Sequence, residues 1–593
     1  MSAEQDRREK YVDRQRGLLG AVVLASAIGL SYVPWEAPDS IYAPIAPYIT
    51  PALFWMGVVG ALLLAWSIGH TMWRHSRPGI RRRLYHAPGW AGRHDFADSL
   101  GAGALTKDGL GRQVRPSLAT RAQRAGYKPR ALDYGVLLGR ALTGPRVVRR
   151  RKVYSSWENS VLLYGPPGAG KTALLIHWVL GAPGAVLSAT TKLDVWAYTH
   201  RLREQHGPTA LFNPSNVGGQ PSTFFFDVMI GCEHYAMAQS RARALVEGTK
   251  AITEIQERSW AEKCVDILAK LILAARLEGG DMRTVAFWLA NPDRDDPLVI
   301  LRSEQHAAHV PPGWANSLQA EMHSSADRMK GSIWSLARSA VAFMGNPVVS
   351  AAVTGHHGQN FDIESFIRSN GTLYLVGDDK DDTIGPLLNA LTQYVYYGAK
   401  ALADERKVRL DPPMAIILDE VTQITPVPLP EWTAVARGAG IWLGCATQTP
   451  SQVRIRWGRD GASTLKTTVG TKVILGGIQE PDDLEEFSLL VGDREVPVVS
   501  EGQTRSGTGS SESKQVSYRK ERIIPPSEVR KLAKQHALVL ARSANAVVVK
   551  YQRGQQRAQK EIKKLEKKLA AAAARQQQTS PVTASSAGER QQV

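Results

Sequence analysis

The first eighty residues switch between polar and apolar in blocks. A charged stretch ending at Arg16 gives way to apolar Gly17–Trp35, then a short link, then apolar residues from about Ile49 to Trp73. No polar face interrupts either block, and each is long enough to span a bilayer, which needs roughly 20 residues. The pattern predicts two transmembrane helices, at about 17–35 and 49–73. The link holds Glu36, Asp39, Pro34, Pro38, Pro44 and Pro47. From Val153 onward the pattern changes. Short apolar runs recur at 160–164, 185–189, 209–213, 372–377, 415–419, 442–447 and 472–477, mostly separated by helical stretches. That rhythm predicts a parallel sheet with crossover helices. Two late runs, 537–541 and 546–551, are expected to close the sheet. From Met229 to Val349 the rhythm breaks. Segments such as 260–275 carry helical periodicity with few strand signals, which predicts an all-α insertion. Residues 501–519, rich in Ser and Gly, read as a mobile loop.

Charge refines the picture at the flanks. Residues 17–73 contain no Lys or Arg, whereas Arg7, Arg8, Lys10, Arg14 and Arg16 precede the first span and Arg74, Arg77, Arg81, Arg82 and Arg83 follow the second. The positive-inside rule then puts both termini in the cytoplasm. Trp35, Trp66 and Trp73 suit interfacial positions. The rival, a cleaved signal peptide, would export the rest of the chain. The net charge is +18, and residues 74–152 alone hold nineteen Lys/Arg against four acids. The tail from Tyr551 holds nine against three, leaving 153–550 near neutral. Basic flanks suit a phosphate-rich partner, lipid or nucleic acid; the plain alternative is solubility. Three cysteines, Cys232, Cys264 and Cys445, without C-x-x-C spacing, argue for a reducing compartment and no disulfide frame.

Chemistry enters at two strand ends. Gly165, Pro166, Pro167, Gly168, Ala169, Gly170, Lys171 and Thr172 fit G-x-x-x-x-G-K-[ST], the phosphate-cradling P-loop. The motif follows an apolar strand and precedes a helical run, the context it requires. Its glycines let backbone N–H groups approach phosphates. Lys171 is expected on the β/γ-phosphates of ATP and Thr172 on Mg²⁺. Further on, apolar residues 414–418 end in Asp419-Glu420. Asp419 is expected to complete the Mg²⁺ shell and Glu420 to orient and deprotonate the attacking water. The fold class predicted is α/β: a RecA-like P-loop ATPase domain with an all-α insertion, preceded by two transmembrane helices. The expected divisions are an anchor at 1–73, a basic connector at 74–152, a nucleotide-binding domain at 153–228 and 350–550, the insertion at 229–349, and a tail at 551–593, helical then disordered.

Taken together, these residues resemble the type IV coupling proteins of bacterial conjugation and type IV secretion, membrane-anchored relatives of hexameric DNA-pumping ATPases. The order of elements matches: two N-terminal spans, a P-loop, an all-α insertion, an Asp-Glu strand and a Gln-ending strand. Further matching stretches are Lys192-Leu-Asp194, Gly207 to Phe212-Asn213-Pro214, Ala436-Arg437-Gly438, Thr447-Gln448-Thr449 and Pro525 to Val529. Trp457-Gly458 stands where the family usually has Tyr-Gly, and the link between the spans is short for the family. The resemblance implies an inner-membrane, multi-pass ATPase that assembles as a homo-oligomeric ring, with a hexamer as its expected state. It also implies DNA as partner, single-stranded and carried with a relaxase, together with type IV secretion channel components. Arg437 becomes the arginine-finger candidate acting on a neighbouring subunit, and Gln448 the γ-phosphate sensor. The plain readings are a surface charge for Arg437 and a strand-end cap for Gln448. Arg454-Ile-Arg456-Trp457-Gly-Arg459 interleaves bases and an aromatic as DNA contacts do, and equally as a solvated loop does. Two other functions fit the same motifs: a docking receptor for secreted proteins gated by ATP, and a duplex-DNA translocase of the chromosome-segregation type.

Overall fold

The computed structural model describes residues 3–33, 46–106, 113–118, 120, 127–249, 255–323, 327–354, 361–378, 380–506 and 509–579. Thirteen strands form among them: β1 (Gly135–Ala141), β2 (Lys152–Ser156), β3 (Val161–Tyr164), β4 (Val186–Thr190), β5 (Thr209–Phe212), β6 (Thr372–Val376), β7 (Met414–Leu418), β8 (Ile441–Thr447), β9 (Thr471–Leu475), β10 (Asp493–Ser506), β11 (Gly509–Arg522), β12 (His536–Ala541) and β13 (Val547–Lys550). Eleven of them build one sheet in the order β2-β1-β13-β12-β9-β3-β8-β7-β4-β6-β5. The run from β9 to β5 is parallel throughout. The flank from β12 to β2 is antiparallel.

The five inner parallel strands, β3, β8, β7, β4 and β6, are buried along their whole length, which is why they read as largely apolar runs. Their side chains still divide by period two. Val161 and Leu163 of β3 join one core with Trp178, Ala415 and Ile417. Leu162 and Tyr164 face the other core with Ile416 and Leu418. The first core holds a tryptophan cluster in which Trp442 meets Trp157 and Trp178 edge-on, at centroid distances of 5.0 and 5.6 Å. The second core runs on into a group of helices between β5 and β6. Its centre is the helix Ile255–Leu277, where Cys264, Leu268, Ile272 and Ala275 are fully buried. Lys270 in the same helix is also buried, and its ammonium is held by Asp266 and by Ser317 Oγ at 2.8 Å.

At the N-terminus, helices Ala3–Ser31 and Ala46–His75 pack against each other. Glycine makes the close approach possible. A Cβ at Gly20 would lie 2.9 Å from the Gly60 carbonyl oxygen, and one at Gly60 would lie 2.8 Å from Leu24 N. Within the second helix, Pro51–Trp73 is long and apolar enough to cross a membrane; the apolar part of the first, Gln15–Ser31, is shorter.

Several expectations change. The first helix ends at Ser31, short of Trp35, because Pro34 lies just ahead and a residue before proline avoids the helical region. The basic stretch 74–152, read as a connector with some sheet near the ATPase, supplies β1, which joins the main sheet. Residues 501–506 and 509–519 are no loop. They belong to β10 and β11, which are paired in continuous register from Asp493↔Arg522 to Ser506↔Gly509. Ser and Gly mask the strand signal, while Glu495, Val496, Pro497 and Val498 opposite Ser517 to Lys520 anchor the register. Residues 554–579 form a helix that packs on the sheet domain, and the disorder expected further on falls outside the described residues.

Arg203 illustrates how the sheet and its helices are locked. It is fully buried, and its guanidinium donates to the carbonyls of Ala182 (2.8 Å) and Gly184 (2.7 Å) and to Thr372 Oγ1 (2.8 Å). Removing it strands those acceptors away from water. Arg203→Leu is expected to cost about 2–4 kcal/mol. Arg203→Lys should recover only part of this, since an ammonium lacks the planar fork. Thermal unfolding of the two variants checks it; an unchanged Tm for Arg203→Leu would contradict the assignment.

Candidate functional site

β3 ends at Tyr164, and the chain turns through Gly165–Gly170 into the helix Lys171–Val179. Gly168 (φ +76°) and Gly170 (φ +107°) take left-handed conformations that L side chains avoid. The turn is tied down by Gly165 N donating to the Thr447 carbonyl at 3.1 Å, at the end of β8. β8 lies between β3 and β7, with Tyr164↔Thr447 and Leu418↔Cys445 in register. The ends of three parallel strands therefore bring the glycine turn and Asp419-Glu420 to one edge of the sheet.

There Lys171 Nζ donates to the Gly165 carbonyl (2.8 Å) and pairs with Glu420 Oε1 (2.6 Å). The lysine is nearly inaccessible to solvent. Glu420 itself sits at φ +45°, a strained setting for a residue with a Cβ. Its N–H donates to Asp419 Oδ1 (3.1 Å), and its second oxygen, Oε2, is buried with no hydrogen-bond partner. Burial and the adjacent Glu420 charge push the Asp419 carboxyl up to about 6, against the opposing pull of Lys171. Thr172 is half-buried on the same wall. All eight P-loop residues except Gly165 line a groove of about 640 Å³ that also takes in Asp419 and Glu420. Gly165 lies beneath it as the acceptor for Lys171.

The other sequence candidates fall in different places. Lys192 and Asp194 line the groove. Gln448 directly follows β8, beside the glycine turn, yet is not among the groove-lining residues; its N–H donates to Gln452 Oε1 at 3.2 Å. Arg437 stands before β8, at the opposite end of that seven-residue strand, about 20 Å from its own P-loop. Half-exposed, it pairs with buried Glu158 Oε2 at 2.9 Å, while Arg409 takes Glu158 Oε1 at 2.5 Å. Arg454 and Arg456 are not in a loop, and both have partners within the protein. They lie on the helix Pro450–Thr468, Arg454 paired with buried Asp483 (2.9 Å) and Arg456 bound to the Glu247 and Thr249 carbonyls.

The groove has one wall that sequence reasoning missed. Tyr551, Arg553, Gln555, Gln556 and Gln559 line it from the far end of the chain. Only pairing reveals them: β13 and β12 return beside β9, the neighbour of β3. No local signal in the basic, glutamine-rich tail marks that return.

A glycine cradle, the Thr172 hydroxyl and a strand-end carboxylate suit a phosphate chain with a divalent cation, and the unpartnered Glu420 Oε2 suits a hydrogen-bond donor such as water. Because Asp419 ionises only near pH 6, a cation there competes with a proton. Mn²⁺ binding followed by electron paramagnetic resonance is expected to weaken as pH falls below about 6, by up to about tenfold per unit, and to level off above it. A flat affinity from pH 5 to 8 would contradict Asp419 as a ligand.

With this geometry in view, known proteins can be compared. The model of one protein family, described as type IV secretory system conjugative DNA transfer, matches residues 137–579. Among solved structures, the bacterial conjugative coupling protein TrwB, lacking its N-terminal 70 residues, is 19% identical with a TM-score of 0.50, covering 67% of this chain and 85% of its own. TrwB in complex with ADP and Mg²⁺ is 18% identical with the same score, 67% and 85% covered. TrwB with a non-hydrolysable ATP analogue gives 18%, 0.50, 67% and 86%. At this identity the likeness speaks for the fold. No curated protein matches the chain.

Proposed function

The chain belongs to the type IV secretory system conjugative DNA transfer family, and from that premise we propose that it is a membrane-anchored ATPase, a coupling protein that delivers DNA to a secretion channel. The observation that carries the catalytic part is the 2.6 Å contact between Lys171 and Glu420 beneath the glycine turn. A phosphate-binding cation and a candidate base share one small site. TrwB, of like fold, has been solved with ADP and Mg²⁺ and with a non-hydrolysable ATP analogue, which supports the same ligands here.

In this reading ATP lies with its phosphates on residues 165–172. Lys171 swings from Glu420 to the β/γ-phosphates, which frees the Glu420 carboxylate. Glu420 then orients the attacking water and takes its proton. Thr172 and Asp419 would hold Mg²⁺, which when bound neutralises phosphate charge. Gln448, at the tip of β8, senses the γ-phosphate. Arg437 is too far from its own P-loop to act there, and its exposure suits a neighbouring subunit's site in a ring, a hexamer by family resemblance. Glu158 would hold it in readiness.

The helical pair at 3–31 and 46–75 is read as the anchor, lying in the inner membrane of a bacterial cell and spanning it twice. The helices between 229 and 349 are read as the domain that receives the relaxase–DNA substrate, the sheet at 153–228 and 350–550 as the motor, and 74–152 as its basic link to the lipid surface. Reporter fusions test the topology. A cytoplasmic signal is expected at the N-terminus and after Arg83, and an external one near Ser40; an external signal after Arg83 would overturn it.

The activity test measures ATP turnover with no ligand, single-stranded DNA, duplex DNA and secreted protein. Stimulation by single-stranded DNA is expected. Lys171→Ala should abolish turnover and weaken nucleotide binding. Glu420→Gln should abolish turnover but still bind ATP, because Thr172 and Asp419 remain. Arg437→Ala should keep ATP affinity while cutting turnover more than about a hundredfold, with partial recovery on mixing with Lys171→Ala protein. Normal turnover in Glu420→Gln would remove the base assignment, and stimulation by secreted protein alone would favour a docking receptor.

A further inference from the structure

The long apolar helix does not end in a free tether. The helix Ala46–His75 stops, and after Ser76 alone the helix Arg77–His86 begins, with Pro78 in its first turn. Ser76 N donates to the Met72 and Trp73 carbonyls, at 3.0 and 3.1 Å, so the turn is tight. Arg81 of the new helix is engaged by the sheet domain, donating to the Lys531 carbonyl at 2.6 Å. Its neighbour Arg82 is exposed and folds back over the Trp73 ring, with its guanidinium carbon 5.5 Å from the ring centroid. Trp73 is the last residue of the apolar stretch Pro51–Trp73. The headgroup layer on each side of a bilayer's hydrocarbon is about 5–8 Å deep, so Arg82 stands at the depth of lipid phosphates.

The fold brings a second basic element to the same place. The loop joining β1 to β2 is tied to this helix by Gly144 N, which donates to the Tyr85 carbonyl at 3.1 Å. Within the loop, Arg149 donates to the Gly144 carbonyl at 2.9 Å. Burial, and then the charges of Arg146 and Arg82, lower the Arg149 pKa. Burial and the same three arginines hold the His86 imidazole below its ordinary value. Three guanidiniums therefore crowd one spot, and neither Arg82 nor Arg146 pairs with a carboxylate among the described residues. Like charges gathered this way are unfavourable until an anion joins them, and guanidinium forks match phosphate oxygens. Between Arg146 and Arg149 stands Val147, 41% exposed. An exposed valine among arginines gains little from a phosphodiester backbone, but it gains from a bilayer interface.

We propose that Arg82, Arg146 and Arg149 form a headgroup site for an anionic phospholipid, with the β1–β2 loop lying on the membrane and Val147 in its interface. This rests on the reading of the helix Ala46–His75 as a membrane span. The site joins two segments that are distant in the chain, so it is more than the run of arginines that follows the span. β1 and β2 belong to the main sheet, and a lipid held between loop and helix ties that sheet to the membrane surface.

The test uses the full-length protein in two arms. Flotation with phosphatidylcholine vesicles reports the span alone. In neutral detergent micelles, binding of fluorescent phosphatidylglycerol is compared with that of fluorescent phosphatidylcholine. Wild type is expected to float and to prefer phosphatidylglycerol by about tenfold or more. Arg82→Gln combined with Arg146→Gln should float equally well and keep a preference of about threefold or less. Arg82→Lys combined with Arg146→Lys keeps the charge and should keep the preference. A full preference in the double Gln variant would overturn the proposal. If that variant aggregates, the double Lys variant decides: loss of preference there overturns the site and retention supports it. Glycerol phosphate competing as well as the lipid would make this a free-phosphate site and overturn the lipid assignment. Displacement of the lipid by micromolar single-stranded DNA would reassign the cluster to nucleic acid. Flotation without any preference overturns the headgroup site alone, whereas failure to float overturns the span itself.

Discussion

The site depends on the register of three parallel strands. β3, β8 and β7 are hydrogen-bonded side by side, with Tyr164 opposite Thr447 and Leu418 opposite Cys445. Parallel pairing makes their C-terminal ends coincide, so the turn after β3 and the carboxylates after β7 open at one edge. A slip of one residue in β8 would exchange its two buried faces, moving Trp442 out of its cluster with Trp157 and Trp178. The tryptophan cluster and the two cores therefore hold the geometry on which Lys171 and Glu420 meet.

That meeting concentrates charge in a nearly dry place. Lys171, Asp419 and Glu420 share one small volume, where Lys171, with a smaller pull from Lys192, offsets two neighbouring carboxylates. Glu420 is further held at positive φ, with one oxygen left without a partner. Strain and an unmet acceptor at a strand end are unfavourable for the protein alone, and packing elsewhere sustains them. Other buried charges are treated differently. Arg203 and Arg456 are surrounded by carbonyl acceptors and Glu158 by two arginines, so those groups are fully engaged in holding elements together.

The antiparallel flank extends the sheet without lengthening the parallel run. β12 and β13 carry the chain back past β9 to the P-loop, where Tyr551 touches the glycine turn and the last helix lies along the P-loop helix. An element that composition marks as a basic appendage thereby becomes part of the groove. The same distinction applies to Arg454 and Arg456, whose spacing suits nucleic acid but whose partners are internal.

From sequence alone the α/β class, all seven parallel strands of the sheet and the glycine turn with its later Asp-Glu pair were legible. Each is a local signal: a strand buried on both faces must be apolar throughout, and a phosphate cradle must contain glycine. Tertiary structure alone decided which distant segments meet. The 2.6 Å approach of Lys171 to Glu420, the seat of Arg437 on Glu158, and the wall from Tyr551 to Gln559 join residues far apart in the chain. So did the β10–β11 pair, whose Ser-rich strands are recognisable only by their pairing. Composition records what a segment can bury or bind, but strand order and helix packing determine what stands opposite it.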